Sequence, residues 1–228
     1  ARLNIAEATT VNLFGYNAAV NATYETLWNF GGKYPINESA GVMSVSSSAS
    51  GDSSLRVLVD GVDADYEPIS EIITLNAIDA TTPVITNAEF LRINQCVTLD
   101  GENTGNISII KSATTYGYIA IGEGNTQACQ YTVPAGYSLY VFRITLNSAT
   151  TNGQKYIRFR NLTKTEAGSV IRTSRATFAV SEVSYNRQIP FRINEKTYFE
   201  FEAQSSASDN EVAIFIECVL LKNPWGRD

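Results

Sequence analysis

Between residues 51 and 110 the chain never runs more than a few apolar residues before Gly, Asp, Asn or Ser interrupts it. Leu55, Val57 and Val59 alternate with Arg56, Leu58 and Asp60, the period-two signature of a strand with one buried face. Ile72, Ile73 and Leu75 make a second run, Leu91, Ile93, Val97 and Leu99 a third, and Ile107 to Ile110 a fourth. Asp60-Gly61, Asp100-Gly101 and Thr104-Gly105-Asn106 tolerate positive φ, so turns are expected there. The stretch reads as a two-layer β module. Its strands build a surface, and no catalytic or cofactor motif lies inside it.

The C-terminal half repeats the rhythm with longer runs. Tyr140, Phe142, Ile144 and Leu146 alternate with their neighbours, as do Ile157 and Phe159, then Ile189, Phe191 and Ile193, then Phe199, Phe201 and Ala203. Phe178 and Val180 are followed by Val183, and Val212, Ile214, Ile216, Cys218 and Leu220 form the longest inward row. Turns are expected at Asn152-Gly153, Asn194-Glu195 and Ser208-Asp209-Asn210, and Pro224 in Asn223-Pro224-Trp225-Gly226 ends the last strand. The fold class is therefore all-β, with two β-sandwich or jelly-roll-like domains. The expected division is an N-terminal arm over residues 1–35, a first domain over 36–112 and a second over 113–228.

Two readings of the arm stay open. Ala18 to Phe30 can form a short helix capped by Asn17 or Asn21, although Thr23 and Thr26 weaken it. Alternatively, Val11, Leu13, Phe14, Tyr16, Leu27, Trp28 and Phe30 belong to an extended arm that docks on a neighbouring chain or on its own domain.

Composition removes several function classes. The 228 residues carry a net charge of −6 with no basic run, which disfavours nucleic acid and anionic membranes. The absence of His excludes Ser/His/Asp and Cys/His nucleophilic systems and most zinc and haem sites. Cys96, Cys129 and Cys218 are widely spaced and odd in number, so reduced, unpaired thiols are expected, with Cys129 partly exposed. No run of about 18 apolar residues predicts a membrane span. Asn4 and Glu7 interrupt any signal-peptide pattern, and Ala1 points to a removed Met or a trimmed start.

Few clusters carry chemistry. Asp60, Asp63, Asp65 and Glu67 offer hard oxygen ligands of the kind Ca²⁺ takes, but the EF-hand's later Gly and terminal Glu are missing, and a solvated acidic turn guarding a sheet edge is the plainer reading. No metal and no cofactor is expected, and no carboxylate pair stands out for glycoside hydrolysis. Arg158, Arg160, Lys164, Arg172, Arg175 and Arg187 concentrate in the second domain, with Tyr156, Arg158 and Arg160 read as one outward face. Tyr116, Tyr118, Tyr137 and Tyr185 lie near turns, where a ring can stack on a sugar. The candidate contact residues are Phe14, Tyr16, Leu27, Trp28, Phe30, Tyr156, Arg158 and Arg160.

The order of these elements resembles a known family. The Gly51-Asp52-Ser53 turn leads into an alternating strand, then Gly61-Val62-Asp63-Ala64-Asp65-Tyr66, the strand Ile69 to Asn76, and Phe90-Leu91-Arg92-Ile93-Asn94. Upstream stand Thr23 to Asn29, Gly31-Gly32 and Tyr34-Pro35; downstream, Val133 to Tyr137 and the strand Glu211 to Leu221. Across nearly the whole chain this is similar to virion structural proteins of tailed bacteriophages of the cyanophage and marine-phage type. The resemblance implies a non-enzymatic virion protein assembled in the host cytoplasm. Capsid decoration or cement is the leading expectation, with the major capsid protein or other virion proteins as partners and a homotrimer as the working form. The alternative is a neck, tail or fibre component that binds a host-surface glycan. No catalytic residue follows from the resemblance.

Overall fold

A computed structural model describes residues 8–149, 156–168, 170–178, 182–206 and 210–223. Asn152-Gly153, Val180, Ser208-Asp209 and Pro224-Trp225-Gly226 lie outside the described residues, as do the side chains of Arg172, Arg175 and Phe178. Among the described residues the chain is all-β. In order the strands are β1 (Ala8–Val20), β2 (Glu25–Thr26), β3 (Ser44–Ser47), β4 (Arg56–Val62), β5 (Pro68–Thr74), β6 (Val84–Ile85), β7 (Arg92–Thr98) and β8 (Ile107–Lys111). They continue with β9 (Thr114–Ile119), β10 (Gln130–Thr132), β11 (Tyr137–Ser148), β12 (Ile157–Lys164), β13 (Val170–Phe178), β14 (Glu182–Ile193), β15 (Tyr198–Ser205) and β16 (Asn210–Lys222). One 3-10 turn, Ser50–Asp52, precedes β4.

These strands form four small antiparallel sheets around two main cores. The sheets β6-β3-β8-β9 and β5-β4-β7 share the first core. Val45, Ile107, Ile109 and Ile119 come from one sheet, and Val57, Val59, Ile73 and Ile93 from the other. The sheets β1-β16-β11-β14 and β10-β15-β12-β13 share the second, and β2 pairs with β15. Leu139, Val141, Val212, Ile214 and Ile216 meet Ile157, Phe159, Phe199, Phe201 and Ala203 there. Each fully buried Leu, Ile or Phe contributes about 1.5–3 kcal/mol relative to exposure.

The alternation in β4, β8 and β16 points inward as read. Elsewhere local geometry shifts the phase. Asp60-Gly61 is not a turn but lies within β4, and the chain reverses at Asp63–Glu67 instead. The reason for Gly61 is close approach: a Cβ there would lie 2.0 Å from the Arg92 carbonyl oxygen. The same place holds a bulge. Asp60 pairs with Gln95 and Gly61 with Ile93, leaving Asn94 over, so both Ile93 and Cys96 reach the core. A second bulge at Phe142 reverses the phase of β11: Leu139 and Val141 point inward with Ile144 and Leu146, while Tyr140 and Phe142 face out. Opposite it, β14 fits Arg187 to Pro190 between the pairs Asn186–Arg143 and Phe191–Val141, which leaves Ile189 exposed.

Residues 8–35 do not form the helix, and their extended strand docks on its own chain's second core. β1 pairs with β16 from Ala8–Leu221 to Val20–Asn210, an integral strand of the second core's sheet. Its Leu13 and Val20, together with Leu27, are buried in that core. Gly15 permits the close packing, since a Cβ there would sit 2.5 Å from both the Leu27 carbonyl oxygen and the Cys129 Cβ. At the other expected boundary, β9 pairs with β8 and gives Ile119 to the first core, so the chain passes between cores after Ile119. Cys96, Cys129 and Cys218 are unpaired and buried, Cys129 included.

Candidate functional site

The eight candidate contact residues do not come together in one place. Leu27 and Trp28 are not surface residues. Trp28 is 1% exposed in a small cluster with Tyr34, Ala128 and Tyr198, its ring 5.0 Å from Tyr34 and its Nε1 donating to the Gly32 carbonyl. Phe30 covers this cluster from outside, half exposed, with Tyr118 5.1 Å away. Phe14 and Tyr16 lie on the outer face of the β1-β16-β11-β14 sheet. Phe14 is 45% exposed and stacks on Phe215 at 4.7 Å. Tyr140, Phe142 and Val219 continue the aromatic and apolar face, with the half-exposed Arg143–Glu217 pair among them.

Tyr156 and Arg158 do share an outer position, the guanidinium 4.3 Å from the ring centre. Arg160 does not join them as a surface cation. It is 6% exposed, its Nε pairs with the buried Glu202 carboxylate, and the Tyr24 ring lies 4.0 Å from its guanidinium. Its outward phase was legible; its cover, the segment around Tyr24, was not. Arg160 and Glu202 are direct cross-strand partners between β12 and β15.

This cover creates a buried polar seam between the two cores, which alternation alone had read as solvated. β15 is buried on both faces: Phe199, Phe201 and Ala203 fill the core, while Tyr198, Glu200 and Glu202 are enclosed on the other side. Glu200 Oε2 accepts from the Tyr198 hydroxyl at 2.9 Å and the Thr26 hydroxyl at 3.0 Å, and Thr26 Oγ1 accepts the Tyr34 N–H at 2.8 Å. Burial, with the neighbouring Glu202 charge, pushes the Glu200 carboxyl up to about 7. Across the seam, Asn94 exchanges two hydrogen bonds with the Thr132 backbone at 2.9 and 2.7 Å, and Gln130 donates to the Ile93 carbonyl at 2.7 Å. Gln130 Oε1, Thr132 Oγ1 and Arg92 Nε are buried without partners.

Beside the seam opens a groove of about 450 Å³ between β1 on one side and the outer face of β5-β4-β7 on the other. The register sets Ser70, Asp60 and Gln95 in one row across those three strands. Thr9 to Phe14 of β1 line the other wall, and Tyr131 and Tyr137 line the groove as well. Asp60 is half-buried, and burial raises its carboxyl above the ordinary value. Its carboxylate makes no hydrogen bond or ion pair within the protein.

The acidic loop does not assemble a metal centre. Asp63 Oδ1 accepts the N–H groups of Asp65 and Glu67 at 2.9 Å, closing its own turn. Among the described residues no three His, Cys, Asp or Glu side chains converge on a cation position. Of the four tyrosines near turns, Tyr137 lines the groove, Tyr118 packs on Phe30, Tyr116 is half-buried against the first core and Tyr185 is exposed.

No protein-family model matches the chain, and no curated protein matches it. Among solved structures it is similar to the VP2 subviral particle of infectious bursal disease virus, at 10% identity over 98% of this chain and 74% of that one, with a TM-score of 0.27. A structure of the Gt strain of the same virus gives 9% identity, 96% and 72% coverage and a TM-score of 0.26. Overlaps this loose do not establish a shared fold, and no residue role is carried over from them.

Proposed function

We propose that the chain is a non-enzymatic structural protein of a virion, acting as a decoration or cement protein on the capsid exterior. The family resemblance of its strand-and-turn order supports this reading, and we read each pair of sheets as a sandwich, the second jelly-roll-like. One structural observation carries it: the outer face of β1-β16-β11-β14 exposes Phe14, stacked on Phe215, and, beyond the Arg143–Glu217 pair, Phe142 beside the part-buried Tyr140 and Val219. Exposed aromatic residues gathered on one sheet face mark a contact surface. Buried against the major capsid protein or another virion protein, it would add contacts that internal pressure must break, at roughly 1,000 Å² or more per stable interface. A trimer follows from the local three-fold positions of capsid lattices. Neither nucleic acid nor membrane has a role in it.

The test is particle stoichiometry. Many copies per purified virion support decoration, and a few copies place the protein in neck, tail or fibre. Phe14→Lys should leave the monomer folded and sharply lower incorporation. Full incorporation of this variant would show that the face is not the contact. The neck, tail or fibre reading is favoured by a different observation, the groove around Asp60.

A further inference from the structure

Among the described residues Asp60 is the only charged side chain lining the groove. No donor in the protein meets its carboxylate, whose oxygens still reach solvent in the groove. It is a free acceptor there, and a ligand that presents hydrogen-bond donors complements it. Cross-strand neighbours stand roughly 5 Å apart. Ser70, Asp60 and Gln95 thus form a row of hydroxyl, carboxylate and amide along one wall of the groove. The facing wall is the β1 stretch from Thr9 to Phe14. Tyr137, part-buried against the second core, also lines the groove and is the ring there for stacking against a sugar's C–H face.

Charge narrows the class. Among the described residues no Lys or Arg lines the groove, and the Asp60 carboxylate disfavours phosphate, sulfate and sialic acid. Its volume falls within the range of small-molecule sites. We propose that this groove is a binding site for a neutral carbohydrate, with Asp60 accepting a pair of ring hydroxyls, Ser70 and Gln95 bonding those on either side, and Tyr137 stacking. The proposal does not rest on capsid decoration: it holds whether the protein sits on the shell, the neck or the tail.

The experiment applies the full chain to an array of neutral oligosaccharides built on glucose, galactose, mannose and N-acetylglucosamine, alongside sialylated and sulfated ones. Hits are then titrated by calorimetry. Neutral glycans should bind, the anionic ones should not, and Asp60→Asn should weaken the neutral hits at least tenfold. Gln95→Ala and Ser70→Ala, both at exposed positions, should each weaken them several-fold, and they keep the test alive should Asp60→Asn fail to fold. Absence of any neutral hit, binding confined to the anionic glycans, or wild-type affinity in the folded Asp60, Gln95 and Ser70 variants would each overturn the assignment. Copy number in particles carrying Asp60→Asn reports separately on the structural role.

Discussion

Asp52 and Glu200 are both buried carboxylates, one beside the first core and one behind the second, and their protons behave in opposite ways. Burial pushes both upward. At Asp52 it is outweighed by donors: Ser47 Oγ at 2.5 Å, the Thr104 N–H at 2.6 Å and hydroxyl at 2.8 Å, and the Gly105 N–H at 3.0 Å. The carboxyl is held below its usual value. Glu200 has two hydroxyl donors on one oxygen and the Glu202 charge as a neighbour, so burial wins and the carboxyl rises to about 7. Depth does not decide ionisation; the number of backbone and hydroxyl donors aimed at the carboxylate does. Asp52 works as a cross-brace, tying the turn before β4 to the loop before β8. Glu200 sits where a brace would be if the cover over β15 supplied donors, and that cover supplies one.

The largest test of this contrast removes the brace. Asp52→Ala leaves the Gly105 N–H and the Ser47 hydroxyl buried without an acceptor, at about 1–3 kcal/mol for each buried orphan, and frees the part-buried Thr104 N–H. A loss of about 3–5 kcal/mol in denaturant unfolding is expected at pH 7. A loss under 1 kcal/mol would show that the network is not structural.

Next comes pH. The folded chain holds a proton on Glu200 that the unfolded chain has released, so this group's contribution falls as pH rises from about 4.5 to about 7 and is flat above that. The shift corresponds to about 3 kcal/mol. Asp52 runs the other way: its contribution is present above the ordinary carboxylate range and is lost on acidification. Glu200→Gln should therefore match wild type near pH 5 and be more stable by up to about 3 kcal/mol at pH 8. With no His in the chain, few other groups titrate in this window. Equal destabilisation at both pH values would mean that Glu200 is ionised throughout.

Much of the fold could be read from period and punctuation, because a strand that buries one face records this in its own residues. The inward rows of β4 and β16 are of that kind. Where a bulge adds a residue, as at Asn94 and Phe142, the period slips by one without any mark in composition, so Tyr140 and Phe142 read as inward. Gly61 carried the signal of a turn but serves close approach to Arg92. Burial of an outward face is a further step removed. Glu200, Glu202 and Arg160 alternate like solvated residues, and their cover comes from Tyr24, Thr26 and Tyr34, more than a hundred positions away. Trp28 was rightly singled out as too apolar for a free tail, yet its partners Tyr34, Ala128 and Tyr198 are all in its own chain. The groove was legible only in fragments, as an acidic loop at Asp60 and a tyrosine at 137.

The smallest effect isolates the single donor that the cover provides. Thr26 donates to Glu200 Oε2 and accepts the Tyr34 N–H, so it is the one link between the carboxylate and the segment lying over it. Thr26→Val keeps the shape and removes both bonds. Without that donor the ionised form of Glu200 loses half of its hydroxyl support, so its titration midpoint should move further up. Stability at pH 8 should fall by about 1 kcal/mol, the usual net value of one hydrogen bond plus part of the cost of an orphaned N–H. At pH 5, where Glu200 is protonated, only the Tyr34 contact is missed and the loss should be smaller. Comparing unfolding of wild type and variant at the two pH values separates the terms. A midpoint that stays in place while stability drops equally at both would mean that Thr26 holds Tyr34 and nothing more, and that Tyr198 alone sets the support for Glu200.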